Sequence, residues 1–390
     1  MPRFRPALLA ALPFVALAAC TATGDGLTTA NGAAEAQPAG AQGRPFGVQP
    51  VGQFNEPWAM AFVPGTNQAL VTERRGRLLL WSQGAEPVEV QGLLAVDYGG
   101  QGGLGDVVLH PNFARNRLVY LSWVQAGEGD TRGAVVGRGR LVTDGGAARI
   151  EGLEIIWRQA PKTTGRGHFG HRIAFSPDGR HLFITNGDRQ QFTPAQDPAQ
   201  TLGKIVRLND DGSVPADNPF AARGGVAAQF WTTGHRNPLG LAFAPDGRLW
   251  QHEMGPQGGD EFNLIERAAN YGYPIVSNGN NYDRTDIPDH NTRPEFRAPV
   301  ITWNGVSPAG LMIYTGRMFP RWRGSAFLGG LSGQTLIRVA IDGANAREAE
   351  RWDMGARIRE VEQGPDGAIY VLEDTRQGRG GRLLRLTPSR

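Results

Sequence analysis

From Phe46 to the C-terminus, short apolar runs alternate with polar turns, and one unit recurs six times. A few apolar residues lead into a Pro-centred turn, and a β-rich run follows. Phe62-Val63-Pro64 precedes ALVTERRGRLLLW, Leu109-His110-Pro111 precedes RLVYLSWV, and Phe175-Ser176-Pro177-Asp178-Gly179 precedes HLFITNGD. Further on, Phe243-Ala244-Pro245-Asp246-Gly247 precedes RLWQHEMG, Met318-Phe319-Pro320 precedes SAFLGGLSGQTLIRV, and Gly364-Pro365-Asp366-Gly367 precedes AIYVLED. The six prolines stand 47, 66, 68, 75 and 45 residues apart. Proline presets φ at the start of such a turn, and Asp-Gly supplies its φ-permissive end. The runs that follow are short and rich in Val, Ile, Leu, Phe, Tyr and Trp, as strands are. A period of this length is that of a four-stranded blade with its loops. The pattern predicts an all-β chain, a six-bladed β-propeller with four-stranded antiparallel blades over residues 46–390.

The pattern is absent before Phe46. Residues 1–19 carry Arg3 and Arg5, a 13-residue apolar stretch from Ala7 to Ala19 and small residues ahead of Cys20. That order is the order of a secretory signal, and the apolar run is too short to span a bilayer. Leu17-Ala18-Ala19-Cys20 also resembles a bacterial lipobox, and Cys20 is the only cysteine, so no intrachain disulfide is available. Residues 20–45 are small and polar and read as a lipidated Cys with a flexible tether. The expected location is periplasmic, with the membrane touched only through lipidated Cys20. Thr21 is not the Asp of an inner-membrane lipoprotein, which favours the outer membrane.

Composition supports this picture. With 55 Gly and 27 Pro in 390 residues, about a fifth of the chain is turn-prone, against roughly 12% in average usage. Removing residues 1–19 lowers the net charge from +3 to +1, which gives no case for a nucleic-acid partner. Of the basic residues only Lys162 and Lys204 are lysines; the rest are Arg, the side chain suited to bidentate recognition of carboxylates.

Four stretches are too polar and too Gly-rich for ordinary strands: Gly99–Gly105, Gly165–Arg172, Gly234–Pro238 and Gly255–Glu261. Each is expected at a different blade, and a propeller would bring them together at one end of its channel. Glycines let backbone approach a ligand closely, and the remaining side chains are Gln, His, Arg and Asn with one acidic pair. These stretches, GGQGGLGD, GHFGHR, TGHRNPLGLAF and GPQGGDEFNLI followed by Asn270-Tyr271-Gly272-Tyr273-Pro274, together with Arg357-Ile358-Arg359, resemble the soluble quinoprotein glucose and aldose sugar dehydrogenases. Those are six-bladed propellers that use pyrroloquinoline quinone (PQQ) with calcium. The resemblance runs from about Gly52 to the C-terminus.

The resemblance implies oxidation of an aldose at its anomeric carbon to the lactone, with hydride transfer to the quinone. It makes His168 the general base, with His171 the competing histidine three residues on. A neutral imidazole suits that task near pH 7. Gln101, Arg236, Asn237, Arg357 and Arg359 match positions that hold or face PQQ, whose three carboxylates call for permanent cations. The carbonyls of Gly255 and Pro256 match a calcium site, and Glu261 with the Tyr271 carbonyl resembles a second, structural one; oxygen donors are what calcium takes. A quinone or cytochrome would accept the electrons. The sequence departs from the family at Ser332, where a Lys is usual, at Gly167, where an Asp often precedes the base, and at Arg189. Two other readings stay open, a non-catalytic binding propeller and a calcium-dependent lactonase-type hydrolase.

Overall fold

Each Pro-centred turn of the repeat occupies the same place in the fold, between the first and second strands of a sheet. The computed structural model describes residues 43–375 and 381–389; the signal, Cys20 and nearly all of the tether lie outside the described residues. The strands are β1 (Phe46–Gln53), β2 (Pro57–Phe62), β3 (Gln68–Glu73), β4 (Arg77–Ser82) and β5 (Val88–Gln91). Next come β6 (Leu104–Leu109), β7 (Leu118–Ala126), β8 (Arg132–Asp144) and β9 (Ala147–Arg158), then β10 (Gly170–Phe175), β11 (His181–Asn186), β12 (Lys204–Asn209) and β13 (Phe230–Thr233). They are followed by β14 (Pro238–Phe243), β15 (Leu249–Glu253), β16 (Asp260–Ile265) and β17 (Ile301–Trp303). The last are β18 (Pro308–Ile313), β19 (Ala326–Gly330), β20 (Thr335–Asp342), β21 (Asn345–Asp353), β22 (Ile358–Gln363), β23 (Ile369–Glu373) and β24 (Arg382–Pro388).

Strands β10–β13, β14–β17 and β18–β21 each form a four-stranded antiparallel sheet in chain order. So do β2–β5 and β6–β9, which a short parallel pairing of β5 with β9 joins at their outer edges. The remaining sheet, β22-β23-β24-β1, is built from both ends of the folded chain, Phe46 facing Pro388 and Gln53 facing Arg382. The first strands are neighbours in cyclic order: β2 beside β6, then β10, β14, β18 and β22, which returns to β2. This is the β-propeller arrangement.

The core lies between sheets, not within one. Tyr120, Val136 and Trp157 of one sheet meet Ile184, Val206 and Phe230 of the next, and Met60, Val71 and Trp81 meet Tyr370, Leu372 and Leu383 where the ring closes. Burial on both faces explains why runs such as Leu118–Ala126 are apolar almost throughout and do not alternate.

A feature absent from the sequence pattern positions the site. Every first strand carries a register shift near its start, at Pro57/Ala59, Leu104/Val107, Gly170/Ile173, Pro238/Gly240, Ala309/Leu311 and Ile358/Glu360. An extra residue in one strand bends it and re-aims the side chains beside it, and all six bends fall at the same end of the channel.

Candidate active site

The four polar stretches do converge, though not one per sheet as expected. Gly234–Pro238 leads into β14 and Gly255–Glu261 is the turn from β15 into β16 of the same sheet. The Pro-centred turn between them, Pro245-Asp246-Gly247, joins the first two strands and does not open a new sheet. At the bulged ends of the first strands three of them border a cleft of about 710 Å3, counting space open to solvent, and the fourth follows Met254, which lines it. Gln101, Asn237, Arg357 and Arg359 line it, with Arg74, His171, Ser332 and Asp374.

The charge of this cleft is set by its arginines. Arg357 Nε donates to Asp374 Oδ2 at 2.8 Å, and Arg359 reaches the same oxygen at 3.3 Å. Side chains two residues apart at a strand start thus reach one partner, as alternation dictates. The two guanidiniums hold the Asp374 carboxyl below its ordinary range despite burial. Among the described residues, Arg359 Nε has no hydrogen-bond partner although it is buried. Arg74, mostly occupied with the Gly102 carbonyl and Glu56, adds a third cation. Asn237 Oδ1 is likewise buried and unpartnered.

The two histidines of GHFGHR have different surroundings. His168 Nδ1 lies 2.7 Å from Asp188 Oδ1, and its backbone N–H donates to Gln101 Oε1 at 2.8 Å. With Nδ1–H held by a carboxylate, the lone pair is left on Nε2. Burial lowers the proton affinity of His168, Asp188 raises it, and the cations Arg236 and Arg189 lower it further, so the ring is neutral near pH 7. His171 is fully enclosed: its ring stacks on Trp58 at 5.0 Å, Nδ1 meets Ser122 Oγ at 2.7 Å, and burial pushes it down to about 3. It is a packing residue of the cleft wall.

Arg236 lies behind the cleft, not on its lining. Its guanidinium donates to the Met254 and Gly255 carbonyls at 2.9 and 2.6 Å and to the Tyr282 hydroxyl at 3.2 Å. The Gly255 carbonyl therefore already accepts one strong hydrogen bond, with its second lone pair left for a cation beside the Pro256 carbonyl. Glu261 is buried, accepts from Asn263 Nδ2 at 3.0 Å, and is driven well above the usual carboxylate range by burial and by the Glu253 charge. The Tyr271 carbonyl accepts from His290 Nε2 at 3.0 Å. Among the described residues, no group of three or more acidic or His side chains is arranged to hold a metal. Ser332 Oγ shares a hydrogen bond with Ser307 Oγ at 2.8 Å and brings no charge to the cleft wall, where the resemblance implied a Lys.

Three functional residues escaped the sequence reading. Asp188 had a signal, the polar Asn-Gly-Asp that ends an apolar strand. Asp374 had a similar one at the end of AIYVLED. Arg74 had none, since ERRGR reads as the turn it forms between β3 and β4.

The residues fit a polycarboxylate cofactor: two arginines share the Asp374 carboxylate, a third lines the same cleft, and a guanidinium nitrogen and an amide oxygen are buried with no hydrogen-bond partner among the described residues. They also fit oxygen-ligated calcium in donor type, through backbone carbonyls and buried carboxylates. The fold is that of a sugar-oxidising propeller class, and the chain matches the Glucose / Sorbosone dehydrogenase family over residues 54–385 and belongs to it. It is 39% identical over 346 residues to the aldose sugar dehydrogenase of Escherichia coli (strain K12), spanning 86% of this chain and 91% of that protein. The crystal structure of the E. coli aldose sugar dehydrogenase in its apo form superposes with a TM-score of 0.82 at 37% identity, covering 88% of this chain and all of that one. The PQQ-bound aldose sugar dehydrogenase of Streptomyces coelicolor superposes with a TM-score of 0.70 at 25% identity, covering 88% and 98%.

Proposed function

We propose that the protein is a six-bladed propeller that oxidises an aldose at its anomeric carbon to the lactone, with PQQ and calcium. The observation that carries this reading is the juxtaposition of an Arg-rich cleft with the Asp188–His168 pair. Arg74, Arg357 and Arg359 would hold the carboxylates of PQQ, with Gln101 and Asn237 supplying neutral hydrogen bonds. The Gly255 and Pro256 carbonyls would carry one calcium, and Glu261 with the Tyr271 carbonyl a second. PQQ, when bound, supplies the two-electron acceptor, and calcium polarises its oxygen.

The chain's own work is proton management and positioning. Loss of hydride from the anomeric carbon requires loss of the hydroxyl proton, and His168 Nε2 takes that proton. Asp188 fixes the tautomer and stabilises the imidazolium that results. Gln101 holds the His168 backbone in place, and Arg236, through the Met254 and Gly255 carbonyls, braces the wall opposite. An external quinone or cytochrome then removes the electrons. Export as a lipoprotein through Cys20 would place this chemistry in the periplasm; a Cys20→Ala variant that stays with the membrane fraction overturns that part.

The reading is tested by titrating apo-protein with PQQ and calcium, followed by D-glucose. Calcium-dependent binding and sugar-driven bleaching of the oxidised quinone are expected. Failure to bind PQQ would support the second reading, a binding propeller, which Ser332 favours by leaving one wall of the cleft without its cation.

A further inference from the structure

The segment after β11 carries a run of backbone outliers. Arg189, Gln190 and Phe192 all have positive φ, at +58°, +59° and +64°, and His168 across from them stands at +48°. For residues with a Cβ each costs on the order of 1–2 kcal/mol and persists only where the surroundings impose it. Asp188 accepts from the Gln190 and Phe192 backbone N–H groups at 3.0 and 3.3 Å, and across from them the Gly165–Gly167 backbone is held by Arg189. Arg189 is 1% exposed, and its guanidinium donates to the carbonyls of Gly167 (2.8 Å), Gly165 (2.6 Å) and Arg132 (3.0 Å) and to Thr163 Oγ1 (3.2 Å). Its face lies 3.8 Å from the centre of the Phe169 ring. None of its acceptors is a carboxylate. A buried cation whose acceptors are three backbone carbonyls and one hydroxyl is a structural clamp, and two of those carbonyls, of Gly165 and Gly167, lie in the segment that ends at the peptide bond into His168.

Gly167 fits the same picture. A Cβ there would meet Gln190 Oε1 at 2.2 Å, so the Gln190 side chain, which packs over Gly167 beside Arg189, would have to swing away before the Asp that the resemblance implies could be seated. We propose that Arg189 is a positioning residue for sugar oxidation, locking the Gly165 and Gly167 carbonyls so that His168 keeps its left-handed backbone, its imidazole on Asp188 and its backbone N–H on Gln101 of the cleft. The inference rests on His168 being the base. Its charge acts in the same place: the charged groups facing His168 are Asp188, Arg236 and Arg189, and the two arginines disfavour the imidazolium that Asp188 favours.

The test uses holoenzyme reconstituted with PQQ and calcium, D-glucose and a reducible dye, with Arg189→Met and Arg189→Lys compared over a pH series. Arg189→Met should lose about 10- to 100-fold in kcat, the scale of a misplaced catalytic group, with KM changed less than about threefold. The acid limb of its kcat/KM profile should move to higher pH, because a cation that opposed protonation of the base is gone. Arg189→Lys keeps the charge without the fork; its acid limb should stay in place while kcat still falls. A purely structural role would lower the amount of folded enzyme without moving the limb of the surviving fraction. Wild-type kcat in Arg189→Lys, or an unmoved acid limb in a folded Arg189→Met, overturns the proposal. If Arg189→Met does not fold, Arg189→Lys alone decides. Full turnover in His168→Asn would instead remove the base assignment beneath it, a separate outcome from either Arg189 result.

Discussion

His168 and His171 show how three residues of separation yield opposite chemistry. Both follow a glycine, both have positive φ, and both are buried. One has a carboxylate on Nδ1; the other has a hydroxyl and an indole face, and burial, aided by the Arg172 charge, lowers its proton affinity. His168→Asn should therefore lower kcat by about 10²- to 10⁴-fold while PQQ still titrates normally by absorbance. Asp188→Asn removes the charge that favours the imidazolium. A base works in its unprotonated form, so lowering its proton affinity moves the acid limb of kcat/KM to lower pH, and loss of the fixed tautomer costs turnover on the order of 10²-fold. Arg359→Met takes away a buried nitrogen that has no partner among the described residues. Charged hydrogen bonds contribute about 1.5–3 kcal/mol, so PQQ affinity should fall roughly 10- to 100-fold in a direct titration, and unchanged affinity would place the cofactor elsewhere.

Among the elements, the closing sheet is the most exposed to failure, because β1 pairs only with β24 and five of its eight residues are exposed. Phe46 is its anchor, edge-on to Trp352 at 5.2 Å and to Trp322 at 6.2 Å. Phe46→Ala should destabilise the fold by about 3–5 kcal/mol, read from denaturant unfolding. Activity at 25 °C should persist, since the cleft lies among residues of other strand ends. The repeat was legible at this scale because proline and Asp-Gly act locally: each fixes a turn regardless of what packs above it. The bulges were not legible. They arise where a first strand must bend to meet its neighbours around the ring, which is a property of closure and leaves no fixed residue type behind.

For the whole molecule, the channel has two unlike ends. The cleft end is lined by arginines, and the other holds Asp106, Glu360 and Glu362 around Arg172. Arg172 pairs with Asp106 and Glu360, which leaves more carboxylates than cations. Burial, then the Glu360 charge, pushes Glu362 up to about 8. An acid whose folded value exceeds its unfolded value, near 4.3, gives its full contribution to stability only below the unfolded value. Stability is therefore lost as pH rises from about 4.3 to about 8, and the loss is complete above that. Glu362→Gln should be more stable than the parent at pH 9, with the gap in unfolding temperature closing towards pH 5. Parallel curves for the two proteins would show that Glu362 does not titrate in this window.

The sequence by itself determined the six turns, the strands that follow them, the neutrality of the folded part and the set of polar stretches, because each of these rests on local conformational preference or on composition. The tertiary structure decided which residues meet. It put Asp188 on His168 and Asp374 between two arginines, turned Arg236 away from the cleft onto backbone carbonyls, and placed two of the four polar stretches in one sheet. Those outcomes depend on the ring closing and on the register of strands far apart in the chain, where the partner of a buried charge is fixed by geometry that no short stretch of residues contains.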